Sequence, residues 1–384
     1  MLSNIFSVKQ VVCAALAIVI FIGLNGWILR NAPVKGGDTH HYLDAVDELY
    51  ENGSITKRNQ NYSGYVIFLT FCKIITPHGY SYLSTSVAIQ VFVSFVALLS
   101  VYYLGVSIFS FPTASLSTLF FSLNYYSLFW NQYVLTDSLF ISFVTISCAT
   151  ALLSSRDRRY LAISIPAIIF TAMLRPNGLV FFPVFLIYII STLRVKARAL
   201  IYIVLVICVT IGASFLSTQF QKATGRIQVL DNLEGGTLIW GQKYLPMPKM
   251  EKRSGETVKD TLNYFIDYPK DVIYLAVSRI YINYYFIRDG YSKKHVVFLM
   301  IALPLFYLLS IAGVVRSFTV GVNRDKLLLL GIITAQTIVF AGTYADYDPR
   351  FLCYIISLIA LFAFYGFEWI IKPCFPSFRS KFVS

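Results

Sequence analysis

Residues 36–53 read GGDTHHYLDAVDELYENG. The stretch starts a few residues after the apolar run Val11–Leu29. It holds five of the chain's nineteen acidic residues, although 57% of all residues are hydrophobic. Tyr42, Leu43, Val46, Leu49 and Tyr50 recur at spacings of three or four, while Asp44, Asp47, Glu48 and Glu51 fall on the opposite side. This pattern predicts an amphipathic helix over 39–51, ended by Gly53. Gly36-Gly37 supply a turn ahead of it, and Asp38 stands where a helix N-cap is expected. Such a helix lies on a membrane surface or on the tops of membrane spans, with its acids in water.

The rest of the chain sets that helix in context. A mean hydropathy of +0.66 with 13% charged residues excludes a soluble globular domain. Apolar segments recur at 9–29, 83–108, 112–129, 138–153, 160–174, 177–193, 199–217, 295–315, 327–343 and 351–371. The expected fold is an all-α polytopic membrane protein of about 10 transmembrane helices. The fifth and sixth segments are short and flank the turn LRPNG, residues 174–178. The first run is long for a signal peptide and no small-x-small cleavage site precedes Arg30, so it reads as an uncleaved first span. Strand-length alternation is not seen, which argues against a barrel. The six cysteines are scattered without a CxxC pair, which implies neither a disulfide framework nor a zinc site.

Loop charges set an orientation. With both termini inside, the short inner segments carry thirteen basic residues, among them Arg156, Arg158, Arg159 and Arg316. Sixteen of the nineteen acidic residues fall outside. Three regions result: 1–217, a transmembrane core with a catalytic first outer loop at 30–82; 218–294, a large outer loop contacting substrates; and 295–384, the C-terminal helices and tail. The apolar segment 64–77 and the stretch 270–286 read as further interfacial helices. The tyrosines of 264–292 read as an interfacial belt.

Two aspartates draw attention. Asp38 precedes the 39–51 helix, and Asp137 in LTDSLF precedes the helix over 138–153. Each has a local explanation as an N-cap, with Thr136 competing for the second position. Both fall at the outer boundary, and two carboxylates on one lipid-proximal rim form a candidate site. His40 and His41 are adjacent and do not share a helix face, so they do not read as a metal pair.

The order of these motifs resembles the GT-C glycosyltransferases, in particular the polyprenyl-phosphate-sugar-dependent branch that includes the protein O-mannosyltransferases and the lipid A aminoarabinose transferase. In that branch an Asp follows the first span, then a helix with Tyr and Ala, then a Gly-Tyr segment. Asp38, Tyr42, Ala45 and Gly64-Tyr65 match. Thr39 stands where a second acid is usual, and Val66 where a proline is usual. LTDSLF is similar to a T-E-P-L-F segment, and LRPNG is similar to an L-x-R-P-x-G hairpin through Arg175, Pro176 and Gly178. The segment 347–362 resembles a late family span through Arg350.

The resemblance implies a membrane enzyme moving a sugar from a polyprenyl-phosphate donor to an acceptor hydroxyl on a glycan, lipid or protein. It implies inversion, with Asp38 as general base. Asp137 would orient the acceptor. The leaving phosphate needs cations at the same depth, and the candidates are Arg175, Arg279, Arg288, Arg350, Lys57 and Arg58, with Lys243 behind them. Tyr42, His41 and Tyr65 are the candidate substrate contacts. No cofactor is assigned; a divalent metal is compatible with the family, but no ligand cluster supports one. Membrane lipids are partners, whereas the scattered basic residues do not suggest nucleic acid. The expected location is a bacterial inner membrane with the site facing the periplasm.

The alternatives are a transporter or flippase, a polysaccharide polymerase, or an acyltransferase using His40, His41, His78 or His295. Spans nearly free of charge, with acids at one rim, favour an interfacial enzyme over a transporter.

Overall fold

In lipid the backbone must satisfy its own hydrogen bonds, so long apolar runs become helices. A computed structural model describes residues 8–55, 57–193, 228–251, 257–346 and 348–371. The chain divides into two compact units. One comprises Met1–Thr192, Met300–Ile333 and Cys353–Ser384; the other comprises Leu193–Leu299 and Thr334–Leu352.

The helices in chain order are α1 (Val8–Ile28), α2 (Thr39–Asn52), α3 (Ser63–Ile75), α4 (Tyr82–Ile108), α5 (Phe111–Leu123), α6 (Tyr125–Phe129), α7 (Thr136–Arg156), α8 (Leu161–Leu174) and α9 (Pro176–Thr192). They continue as α10 (Gln228–Glu234), α11 (Thr257–Asp267), α12 (Pro269–Tyr284), α13 (Lys293–Val320), α14 (Arg324–Gly342), α15 (Arg350–Cys353) and α16 (Ile356–Ile371). The expected segment 199–217 lies outside the described residues. Two expected segments are broken: 112–129 at Asn124, and 351–371 at Tyr354-Ile355. Among the described residues, four helices are long and apolar enough to cross a membrane: Tyr82–Ile108, Asp137–Arg156, Lys293–Val320 and Arg324–Gly342. Val12–Ile28, Phe111–Leu123, Pro176–Thr192 and Ile356–Ile371 are shorter apolar helices.

In the first unit α7 is the central helix. Of its apolar window 78% is buried, against 22% for Lys293–Val320, whose Phe298, Ile301, Leu305 and Leu308 are exposed. α7 packs on α4, α8 and α9. Its buried face carries small hydroxyl residues that bond back to the preceding turn or across to a neighbour. Thr145 pairs with Ser357 of α16 at 3.3 Å, and Ser147 with Thr171 of α8 at 2.9 Å. Small polar residues of this kind let helices approach closely without leaving a buried group unsatisfied. Gly178 serves the same end by having no side chain. A Cβ there would stand 2.2 Å from the Thr171 carbonyl oxygen, so the α8–α9 hairpin closes only around glycine.

The second unit gathers Leu230, Leu233, Leu238, Tyr264, Val272, Leu275, Ile282 and Ala345 into its own apolar core. It also departs from an all-α expectation. β1 (Thr237–Ile239) and β2 (Lys243–Tyr244) form an antiparallel hairpin, and Ile239 bridges to Ala345. The segments are only three and two residues long, too short for an alternating pattern to stand out.

Candidate active site

The loop between α1 and α2 is fixed to the segment ahead of α7. The Val34 N–H donates to the Gln132 carbonyl at 2.9 Å, and the Val134 N–H donates to the Val34 carbonyl at 3.0 Å. Thr39 adds a third tie. Its buried hydroxyl donates to the Val134 carbonyl at 3.0 Å and accepts from the Gly36 N–H at 2.8 Å. Asp38 is thus held beside a segment that ends three residues before Asp137. Thr39 is thus a structural lock between the two segments.

α2 forms over the expected residues, but of the expected apolar stripe Tyr42 and Val46 are buried, Leu43 and Leu49 half-buried and Tyr50 exposed. Tyr42, Ala45 and Val46 are buried, and Asp44, Asp47 and Glu51 are exposed. Gly53 ends it at φ 66°, its N–H donating to the Leu49 carbonyl at 3.1 Å. The capping expectation for Asp38 is overturned. Asp38 directly precedes α2 with φ −85° and ψ −9°, a helical conformation, and its side chain accepts no cap hydrogen bond. A favoured N-cap needs an extended backbone to turn its side chain onto the first N–H groups. The Asp38 carboxylate is exposed and forms no hydrogen bond or ion pair with another described residue.

Asp137 has the opposite environment. It lies in the first turn of α7 and does not cap the helix either; Leu135 occupies the N-cap position. Its side chain is fully buried. The Arg175 guanidinium donates to Oδ1 at 2.5 Å, and the Tyr354 hydroxyl donates to the same oxygen at 2.6 Å. Arg175 is 7% exposed and its charge also stands 5.3 Å from the Tyr354 ring centroid. The sequence explains how Arg175 gets there. Pro176 opens α9, and a residue before proline is driven out of the helical region. Arg175 is extended, with φ −156° and ψ 152°, and is the sole link between α8 and α9. Tyr354 sits in the break between α15 and α16, packed edge-on against Phe140 at 4.7 Å.

An aromatic cluster gathers around Tyr42, within electrostatic reach of both aspartates. Tyr42 meets Tyr62 at 5.6 Å and Tyr65 at 5.2 Å, both edge-on. The Tyr65 hydroxyl donates to Gln90 at 3.1 Å, and the Gln90 amide donates to the Asn131 and Tyr133 carbonyls. Burial pushes the Tyr42 phenol well above its usual pKa; Arg175 pulls it partly back, and Tyr62, Asp137 and Asp38 push it up. Tyr42 therefore lies in the field of both aspartates and stays a neutral donor. Tyr65 is fully buried, so it is part of the cluster's packing and not a surface for substrate. His41 is half-buried, its ring 3.7 Å from that of His40.

The candidate phosphate cations are dispersed in role. Arg175 is paired with Asp137. Arg279 is buried and donates to the carbonyls of Thr237, Asn232 and Gly342, and to the Asn232 side chain. Burial lowers its pKa to about 10, so it stays charged at neutral pH. That geometry makes it a clamp on loop carbonyls, not a phosphate ligand. Arg288 is likewise buried and donates to the carbonyls of Ile282 and Asp346, each at 3.3 Å. Arg350 is paired with the Asp346 carboxylate at 2.9 Å. Lys57 and Arg58 belong to the 3-10 turn Lys57–Tyr62, and their side chains lie outside the described residues. Among the described residues no three His, Cys, Asp or Glu side chains group as a metal site would require.

No protein-family model and no curated protein matches the chain by sequence. Solved structures do match it. One is the oligosaccharyltransferase of Archaeoglobus fulgidus tethered to an acceptor peptide, with a TM-score of 0.53 and 12% identity over 96% of this chain. Another is the oligosaccharyltransferase AglB of the same organism in complex with an inhibitory peptide and a dolichol-phosphate, with a TM-score of 0.54 and 12% identity over 97% of this chain. At 12% identity the likeness is one of fold. The chain spans about half the length of those enzymes, 50% and 51%.

Several residues of the site carry no mark in the sequence. Tyr354 lies four residues past Arg350 in an apolar run, and its only signal is a hydroxyl at the foot of a span. Gln90, a buried amide in α4, is the analogous clue for the cluster.

Proposed function

We propose that the chain is a membrane glycosyltransferase that moves a sugar from a polyprenyl-phosphate donor to an acceptor hydroxyl at the non-cytoplasmic face. One observation carries the reading: of two aspartates set at helix starts, one is neutralised and the other is engaged by no described residue. Asp137 holds Arg175 and Tyr354, while the exposed Asp38 carboxylate is engaged by no described residue. Environment divides two carboxylates into two roles in this way.

In this mechanism Asp38 accepts the proton of the acceptor hydroxyl as its oxygen attacks the anomeric carbon. The bond to the lipid phosphate breaks on the opposite face of the sugar, and the configuration inverts. Asp137 positions Arg175 and Tyr354 behind the site. Lys57 and Arg58, on the turn that leads into α3, are the cations proposed for the leaving phosphate. Among the described residues no three His, Cys, Asp or Glu side chains group as a metal site would require, and no step is assigned to a metal.

The likeness to the Archaeoglobus enzyme, solved with a peptide and with a dolichol-phosphate, supports a lipid-phosphate donor and makes a peptide one acceptor to test beside glycans and lipids. A site on the outer side remains part of the proposal on the loop charges, and a bacterial inner membrane is proposed with it. Mass spectrometry of cell-surface glycans, glycolipids and glycoproteins, with and without the intact gene, tests it. The proposal predicts a sugar missing from one of these classes. Unchanged profiles, or flux of an unmodified substrate through proteoliposomes without a covalent product, would overturn it.

A further inference from the structure

The second unit presents an aromatic pair that the mechanism above does not use. The rings of Trp240 and Tyr344 stack with centroids 5.2 Å and planes 26° apart. Trp240 is nevertheless 63% exposed. The indole lies on Tyr344 by one face and leaves the other open.

The platform is rigid. Trp240 follows β1, and its N–H donates to the Ala345 carbonyl at 3.0 Å; the Ala345 N–H donates to the Leu238 carbonyl at 2.8 Å. Gly241, at φ 70°, turns the chain back toward β2, in a region of backbone space that favours glycine. Tyr344 stands close enough to the buried Arg279 guanidinium to interact with it electrostatically. Little order has to be created when such a surface binds. Its chain neighbours are polar: Gln242 and Lys243 are exposed on the hairpin, and Asp346, Asp348 and Arg350 follow Tyr344.

An open aromatic face carries negative quadrupole charge and is matched by a flat array of weakly positive C–H groups. A pyranose ring has such a face, and its hydroxyl rim requires amide, carboxylate or guanidinium partners around the edge. The geometry points to a sugar-binding platform in which Trp240, backed by Tyr344, holds a pyranose ring of a glycan substrate. The ligand class rests on the glycosyltransferase reading. The ring belongs either to the donor or to the acceptor, and the chemistry is the same for both. A membrane anchor is the competing occupant. Lipid insertion favours apolar residues beside the indole, whereas Gly241, Gln242 and Lys243 stand there.

The test uses the full chain in lipid nanodiscs. The difference in emission between the wild type and Trp240→Phe isolates the indole. The probes are oligosaccharides released from the surface glycans of the source cells, and nanodiscs made with brominated lipid. A saturable response to the oligosaccharides, with no quenching by brominated lipid, is the expected result. No response to the oligosaccharides, or quenching by the lipid, would overturn the platform.

In a transfer assay Trp240→Ala should raise KM about tenfold for one substrate while kcat is little changed. Which KM rises, donor or acceptor, identifies the source of the ring; an unchanged KM for both contradicts the proposal. Asp38→Asn separates the two readings, because it should stop transfer and leave the Trp240 response intact. If the wild type responds to saccharide but forms no covalent product, the transferase reading fails and the platform stands.

Discussion

The Arg175 guanidinium and the Asp137 carboxylate are paired at 2.5 Å with side chains 9% and 1% exposed. Removing one partner of such a pair leaves an uncompensated buried charge. Asp137→Ala should therefore destabilise the protein by about 3–5 kcal/mol. The double variant Asp137→Leu/Arg175→Met removes both charges and should be more stable than Asp137→Ala. Thermal unfolding of the two variants in nanodiscs checks this. Equal losses would mean that the pair is not the source of the stability.

Tyr354 donates to the same oxygen as Arg175, 217 residues away from Asp137 in sequence. Tyr354→Phe keeps the ring against Phe140 and removes one hydrogen bond to a charged group, for a cost of about 1.5–3 kcal/mol. Transfer should fall, because Arg175 loses a companion that fixes Asp137. A variant with wild-type melting and wild-type rate would remove Tyr354 from the site.

The α8–α9 hairpin that positions Arg175 rests on Gly178. A Cβ at this position would also stand 2.8 Å from the Ala172 Cα, and backbone cannot swing aside as a side chain can. Gly178→Ala should destabilise by about 1–3 kcal/mol and lower activity with it, since the hairpin must open. Thermal unfolding and the transfer rate should move together; a fully stable variant would contradict the close approach.

Asp348 supplies a pH prediction. Burial raises its pKa above 3.8, Asp346 adds to the rise, and Arg350 and Arg288 only partly oppose it. An acid with a raised folded-state pKa favours folding when protonated. Its contribution is fully present below the unfolded pKa and is lost as pH rises through the folded value. Asp348→Asn should therefore melt higher than wild type at neutral pH, and the gap should close as pH falls toward 4. Melting curves across that range check the sign; a gap that widened on acidification would reverse it.

The sequence was informative where the signal is local. The period of Tyr42, Leu43, Val46, Leu49 and Tyr50 and the terminal Gly53 each depend on neighbours within a turn, and α2 ends within a residue of the expected bound, with Tyr42 and Val46 buried and Tyr50 exposed. The Arg-Pro link is local in the same sense. Longer relationships left little trace. Both aspartates look like caps because each stands at a helix start, yet neither caps: Asp38 has helical backbone angles, and Asp137 is held by residues 38 and 217 positions away. The arginines at 279, 288 and 350 look alike as cations near a membrane boundary. Folding divides them between backbone carbonyls and the Asp346 carboxylate, which composition does not encode.

The account turns on the exposed carboxylate of Asp38, which no described residue engages. Asn presents the same shape without a base, and no cap hydrogen bond depends on the residue, so Asp38→Asn should fold as wild type does. The decisive measurement is mass spectrometry of surface glycans, glycolipids and glycoproteins in cells whose deleted gene is replaced by Asp38→Asn at wild-type protein level. The account predicts that the sugar lost on deletion stays lost, with transfer down about 100-fold or more. Restoration of that sugar to wild-type abundance would contradict Asp38 as the base.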